Sequence, residues 1–183
     1  ESTGIIFELT EWVVEQSLIY QKEITAIYPE HIISINISAK DLLRKELPVL
    51  FLTLLNEYQL KASNVMLELT ESATLSDGVN IKTALNDYRL IGLKIAIDDF
   101  GAGVSNFERL LDYQPDILKI DACLIKNIVT DQYSRDVVET IQAFATKQNI
   151  KTVAEFVSNQ EILDVIKEIG IDYSQGFYLG KPE

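Results

Sequence analysis

Apolar positions along the chain change their period repeatedly, and each change marks an element. From Ile5 to about Tyr28, the residues Ile5, Leu9, Trp12, Val13, Ser17 and Ile24 recur at helical spacing before Pro29. This predicts a long amphipathic helix with Trp12 turned to the core. His31 to Ser38 then runs apolar and β-branched to a polar end, the pattern of a buried strand. The same passage from apolar run to polar exit returns in Val65–Glu71, Lys94–Asp98, Ile117–Asp121 and Lys151–Glu155, and in a short sixth strand at Asp172–Gly176. Helical patterns fill the intervals: a short stretch near Ala39–Arg44, then Pro48–Tyr58, Val79–Ile91, a turn near Asn106–Tyr113, Gln132–Gln148 and Asn159–Ile169. In Gln132–Gln148 the residues Val137, Val138, Ile141 and Phe144 share a face, and Gly170 offers a left-handed cap to the last helix.

Strands alternating with helices imply right-handed βαβ units and a mainly parallel α/β sheet with its helices outside. A parallel (β/α) barrel is the natural closure, yet six strands are fewer than the roughly eight such a barrel carries. Either strands are missing or the sheet is open. With 183 residues, 47% hydrophobic, and no Pro/Gly/Ser-rich linker, the expectation is one domain over residues 1–183.

A parallel barrel brings every strand exit to one mouth. Here those exits carry Asn36, Glu68, Asp98, Asp99, Lys119, Asp121, Glu155 and Gln175. Several carboxylates converging on a single lysine call for cations. Without cysteine or a strand-exit histidine among them, the donor set suits hard divalent ions, Mg²⁺ or Mn²⁺, rather than zinc. Two such ions about 3.5–4 Å apart would activate a water and stabilise the leaving oxygen in phosphodiester cleavage. The stretch Asp98-Asp99-Phe100-Gly101-Ala102-Gly103 is the centre of this reading: adjacent carboxylates repel unless something positive lies between them, and the glycines let the loop turn back over that charge. His31 stands at a strand entrance, where a structural or solvent role is expected.

The formal net charge of −12 argues against binding a nucleic acid polymer or an anionic membrane, while leaving a small phosphate ligand open because bound metals invert the local potential. The single cysteine, Cys123, forms no intrachain disulfide and reads as a small core residue, which suits a reducing cytoplasm. No apolar run approaches the roughly 18 residues that span a bilayer, and no signal-peptide pattern opens the chain. The expectation is a soluble chain in the cytoplasm, or the cytoplasmic part of a membrane protein.

Six stretches in order resemble the EAL domain family of cyclic di-GMP phosphodiesterases: Asn36-Ile37-Ser38, Glu68-Leu69-Thr70-Glu71, Asp98 to Gly103, Leu118-Lys119-Ile120-Asp121, Ala154-Glu155 and Gln175-Gly176. The resemblance implies a TIM-like (β/α) barrel of the EAL type, cyclic di-GMP as substrate, linear pGpG as product, and two Mg²⁺ or Mn²⁺ ions. It implies further that Asn36, Glu68 and Asp98 hold the first ion and Asp98, Asp99 and Glu155 the second. Lys119 would orient the attacking water, Gln175 and Asp121 would lie on the substrate side, and Glu71 would brace the loop from Asp98 to Asn106. Through that loop after Asp99 the family links the site to a homodimer interface, and GGDEF, PAS or sensor domains often precede it. The Glu-Ala-Leu motif is absent, along with the two strands the family leads one to expect before Glu1, so the expectation is an incomplete barrel and a domain truncated at its N-terminus. Phe156 replaces a family glycine and Ser158 a carboxylate, while Ala102 and Val104 stand for Thr and Tyr. A degenerate module that binds cyclic di-GMP or a protein partner without cleaving it is the alternative these departures leave open.

Overall fold

The computed structural model describes residues 2–71, 78–102 and 107–181. Among them six strands alternate with helices, and the chain gathers into two compact units, residues 1–95 and 96–183.

The first unit opens with α1 (Ser2–Thr25), followed by β1 (Ile33–Asn36), the four-residue α2 (Ala39–Leu42), α3 (Glu46–Tyr58), β2 (Val65–Thr70) and α4 (Gly78–Ile91). β1 and β2 pair in parallel with Ile33 opposite Val65 and Asn36 opposite Glu68, so the two polar exits finish level with one another. Ser38 caps α2 by accepting from the amide of Asp41, and the buried Asp41 carboxylate in return takes hydrogen bonds from the Ser38 and Thr10 hydroxyls. The side chains of Phe51 on α3 and Tyr88 on α4, both fully buried, meet edge to face at 6.0 Å.

The buried side of α1 differs from the one expected. Val14, Leu18 and Gln21 are inaccessible, whereas Trp12 is 57% exposed, with Leu9 and Val13 also at the surface. The helix carries apolar residues around more than one face, so periodicity alone does not select which is covered. Hydrogen bonding decides for Gln21, whose carboxamide donates to the carbonyls of His31 and Asn64 at 2.7 and 3.0 Å. Its oxygen faces His31 Nδ1 at 2.8 Å, so that nitrogen carries a proton. His31 thus ties α1 to the entrance of β1, the structural role expected of it.

The second unit takes up within β3 (Lys94–Phe100) and continues through α5 (Phe107–Tyr113), β4 (Ile117–Ile120), α6 (Ala122–Ile125), α7 (Gln132–Gln148), β5 (Lys151–Ala154), α8 (Gln160–Ile169) and β6 (Tyr173–Ser174). β3 pairs β4, β4 pairs β5, and β5 pairs β6, all in parallel. Val138, Ile141 and Ala145 bury one face of α7, and Phe144 meets Phe107 at 4.7 Å. α8 begins at Asn159, whose side chain accepts from the amide of Ile162, and ends at Gly170 in the left-handed conformation, φ 86°. β6 is held by Asp172: its carboxylate takes the Lys151 ammonium at 2.6 Å and the Thr152 amide at 3.0 Å.

α6 lacks a sequence signal because four residues are too few to show a period. It is nucleated by Asp121, whose carboxylate accepts from the Cys123 amide at 2.7 Å. This short helix turns Cys123 outward, so the cysteine is exposed rather than a core residue. Of the glycine-rich loop, Gly103 and Val104 lie outside the described residues, while the helical turn expected near Asn106–Tyr113 is α5.

Candidate active site

Two adjacent aspartates on a regular strand would point to opposite faces. β3 avoids this with a bulge. Ile97 lies opposite Leu118 and Phe100 opposite Ile120, so three steps on β3 match two on β4 and one residue is extra. Asp99 absorbs the extra residue in a left-handed conformation, φ 58°, and its amide donates to Asp98 Oδ1 at 3.1 Å. Gly101 follows at φ 99°, where any side chain would be strained and a Cβ, 2.5 Å from Leu124 Cδ1, would push that side chain aside.

The consequence is that both aspartates reach the exit of β5. Asp98, Asp99 and Glu155 each offer a carboxylate oxygen, and these atoms lie within 4.8 Å of one another. Lys119, buried on β4, sends its ammonium between them, 2.9 Å from Asp98 Oδ1 and 2.9 Å from Glu155 Oε1. Such charge-assisted contacts fix the lysine, yet one positive charge does not neutralise three carboxylates. Burial and this residual charge show in the titration of Asp99 and Glu155. Burial, then the charges of Asp98 and Asp121, pushes the Asp99 carboxyl above the ordinary aspartate range. Glu155 is pushed up too, by burial first, with Lys119 pulling the other way and Asp98 and Asp99 adding to the rise.

Asp121 is where the sequence places it, directly after β4, and its charge acts on Asp99. Burial raises its pKa, but hydrogen bonds from the Cys123 thiol and from the amides of Cys123 and Ala122, together with the charge of Lys126, outweigh that and hold it below the ordinary range. The Cys123 thiol is pushed up to about 11, by desolvation first and then by Asp121, so it is no thiolate nucleophile at neutral pH. Gln175 follows β6, its amide bonded to the Ala154 carbonyl at 2.9 Å, and lines with Glu155 a cavity of about 260 Å³.

In the first unit, Asn36 and Glu68 stand side by side at the exits of β1 and β2. Glu68 is buried, and its carbonyl accepts from the Ile37 amide at 3.0 Å. Glu71 follows directly on β2, half-buried. Of the expected site residues, the structure thus unites Asp98, Asp99, Lys119, Asp121 and Glu155 in one cluster with Gln175 beside it, and sets Asn36 level with Glu68.

The donor set fits a metal ion of the hard divalent class. It is all oxygen, its atoms lie close together with only one ammonium among them, and the carboxylates raised toward protonation, Asp99 and Glu155, are those a cation would stabilise in ionised form.

Phe156, the replacement for the family glycine, is the feature sequence reading underestimates. It sits immediately after Glu155 in the left-handed conformation, φ 59°, and is 46% exposed, with the Lys126 ammonium 4.4 Å from its ring centroid. The signal was present: a position that takes glycine elsewhere is one where φ is positive.

Comparison with known proteins agrees with this geometry. The EAL domain family matches residues 1–182. Cyclic di-GMP phosphodiesterase PdeF of Escherichia coli (strain K12) is 36% identical over 180 residues, which are 98% of this chain and 24% of that protein. MucR of Pseudomonas aeruginosa, a bifunctional diguanylate cyclase/cyclic di-GMP phosphodiesterase, is 30% identical over 100% of this chain and 27% of its own length. A solved structure of the MucR phosphodiesterase in complex with c-di-GMP superposes with a TM-score of 0.90 at 30% identity, covering 100% of this chain and 74% of that one. The EAL domain of Xanthomonas citri FimX, 22% identical, shares the fold with a TM-score of 0.91, over 99% of this chain and 72% of its own. The fold is therefore α/β, a TIM-like (β/α) barrel of the EAL type represented here by six strands. The chain spans about a quarter of the length of the curated relatives it matches.

Proposed function

The chain belongs to the EAL domain family, and from that premise we propose that it is the catalytic region of a metal-dependent phosphodiesterase that hydrolyses cyclic di-GMP to linear pGpG. The observation that carries the reading is the Lys119 ammonium lodged at 2.9 Å from both Asp98 and Glu155, with Asp99 completing the carboxylate group.

Two ions, Mg²⁺ or Mn²⁺, are proposed: Asp98, Asp99 and Glu155 would hold one, and Asn36 and Glu68 are the donors proposed for the other. When bound, they supply Lewis-acid activation of water and neutralise charge on the phosphate. The protein's own groups do the rest. Lys119, held by both carboxylates, would orient the attacking water and stabilise negative charge as the water oxygen bonds to phosphorus and the ester oxygen leaves. Glu155 and Asp99, carboxylates of the same cluster, would accept the proton that water gives up. Gln175 offers its carboxamide to the substrate from the cavity beside Glu155, and Asp121 would lie on the substrate side, its charge acting on Asp99. The bracing expected of Glu71 falls on a loop that includes residues 103–106, outside the described residues; a homodimer of the protein is proposed. Further domains of the GGDEF, PAS or sensor type precede it in a cytoplasmic protein. A module that binds cyclic di-GMP without cleaving it is not favoured, since relatives over nearly the whole chain are named phosphodiesterases.

The test is Asp98→Asn, which keeps the shape and removes the charge. Mn²⁺ binding measured by calorimetry and cyclic di-GMP turnover should fall together; unchanged turnover would remove Asp98 from the ligand set.

A further inference from the structure

We propose that Lys126 is a positioning residue for the substrate, acting through Phe156; the inference rests on the phosphodiesterase reading above. The side chain at issue closes one wall of the cavity beside Glu155, whose lining includes Ala122, Phe156, Gln175 and Phe177. Lys126 follows Ala122 by one helical turn, and its amide donates to the Ala122 carbonyl at 2.9 Å. Side chains on a helix lean toward its N-terminus, so the lysine stem is carried back over Ala122 to the cavity side. There its ammonium stands 4.4 Å from the centroid of the Phe156 ring.

The backbone at Phe156 is already fixed without the lysine. On one side the Glu155 amide donates to the Ile120 carbonyl at 3.3 Å, and on the other the Val157 amide donates to the Gln175 carbonyl at 3.0 Å. Those bonds hold φ at 59° and keep Glu155 facing Lys119. What they leave free is the rotamer of a ring that is 46% exposed. Lys126 selects it. A substrate ring entering the cavity then meets a wall already ordered, and the cost of ordering it does not fall on binding.

The role predicts a division between binding and chemistry. A cation over an exposed aromatic ring contributes enough to change affinity about 2- to 5-fold. Lys126→Ala should therefore raise KM for cyclic di-GMP about 2- to 5-fold and leave kcat unchanged, because Lys119 and Glu155 are set by other contacts. Lys126→Arg should restore KM, since a guanidinium stacks on the ring, and Lys126→Met should not, since its stem packs without charge. In a Phe156→Leu background Lys126→Ala should have no further effect. Steady-state hydrolysis with Mn²⁺ reads the three Lys126 variants, Phe156→Leu and the double variant, and thermal melts check that each is folded. An unchanged KM in Lys126→Ala, a methionine as good as arginine, or an undiminished effect in the Phe156→Leu background overturns the inference; the last result would mean that the lysine touches the substrate directly. A wild-type protein that neither binds nor cleaves cyclic di-GMP overturns the phosphodiesterase reading itself, a result distinct from the other three.

Discussion

Replacing Lys119 by methionine keeps the stem and removes the ammonium from between Asp98 and Glu155. Removing one partner from a buried ion pair costs about 3–5 kcal/mol, much of it from the charge left unpaired. Here the carboxylate side chains are 15% and 19% exposed, so water screens part of the loss, and about 2–3 kcal/mol remains. In a chain of this size each kcal/mol shifts the melting temperature by about 2–4 °C, so metal-free Lys119→Met should melt about 5–10 °C below the wild type. Millimolar Mn²⁺ should then raise the variant's melting temperature more than the wild type's, because the ion restores the positive charge that the variant alone has lost. Thermal melts with and without Mn²⁺ give the four temperatures required. A metal-free variant as stable as the wild type, or a larger Mn²⁺ effect on the wild type, refutes the assignment of Lys119 as the internal counter-charge.

Phe156→Gly should be more stable than Phe156→Ala by roughly 1 kcal/mol in urea denaturation. Alanine keeps the left-handed strain of about 1–2 kcal/mol, part of which glycine's greater unfolded-state freedom offsets; equal stability would mean that the positive φ costs nothing. Gly176→Ala should destabilise by about 2 kcal/mol or more. The new Cβ would overlap the backbone of Val157 and break the bonds from the Val157 amide to the Gln175 carbonyl and from the Tyr178 amide to the Val157 carbonyl, and a melt unchanged from wild type would contradict that. Burial raises the Asp172 carboxyl, but the Lys151 ammonium and the bonds from Thr152 outweigh it and hold the group below the ordinary aspartate value of 3.8. A depressed folded pKa contributes stability that is present above the unfolded value and is lost as pH falls through the folded one. Asp172→Asn should therefore be less stable than wild type at neutral pH, with the gap closing below about pH 4; a gap that persists at about pH 2 would assign the effect to packing.

The alternation of elements was legible because each strand here is a short apolar run with a polar exit, and because Asn159 and Gly170 punctuate the last helix chemically. The exits led to the site residues for the same reason: parallel strands deliver their ends to one side. What stayed hidden depended on neighbours. Nothing in Asp98-Asp99 announces that Asp99 takes a positive φ, since the bulge arises from the register of β3 against β4. α1 offers apolar residues on several faces, and only the packing of Gln21 against His31 and Asn64 shows that Trp12 faces solvent. Cys123 is exposed because a four-residue helix capped by Asp121 turns it outward, a geometry too short to leave a period.

The most direct measurement is chromatographic detection of pGpG after incubating the protein with cyclic di-GMP and Mn²⁺, beside the same reaction with excess chelator and beside Asp98→Asn. Product that forms with the metal and disappears in both controls is the expected result. No product, or product that forms equally with chelator, contradicts metal-dependent hydrolysis at Asp98, Asp99 and Glu155.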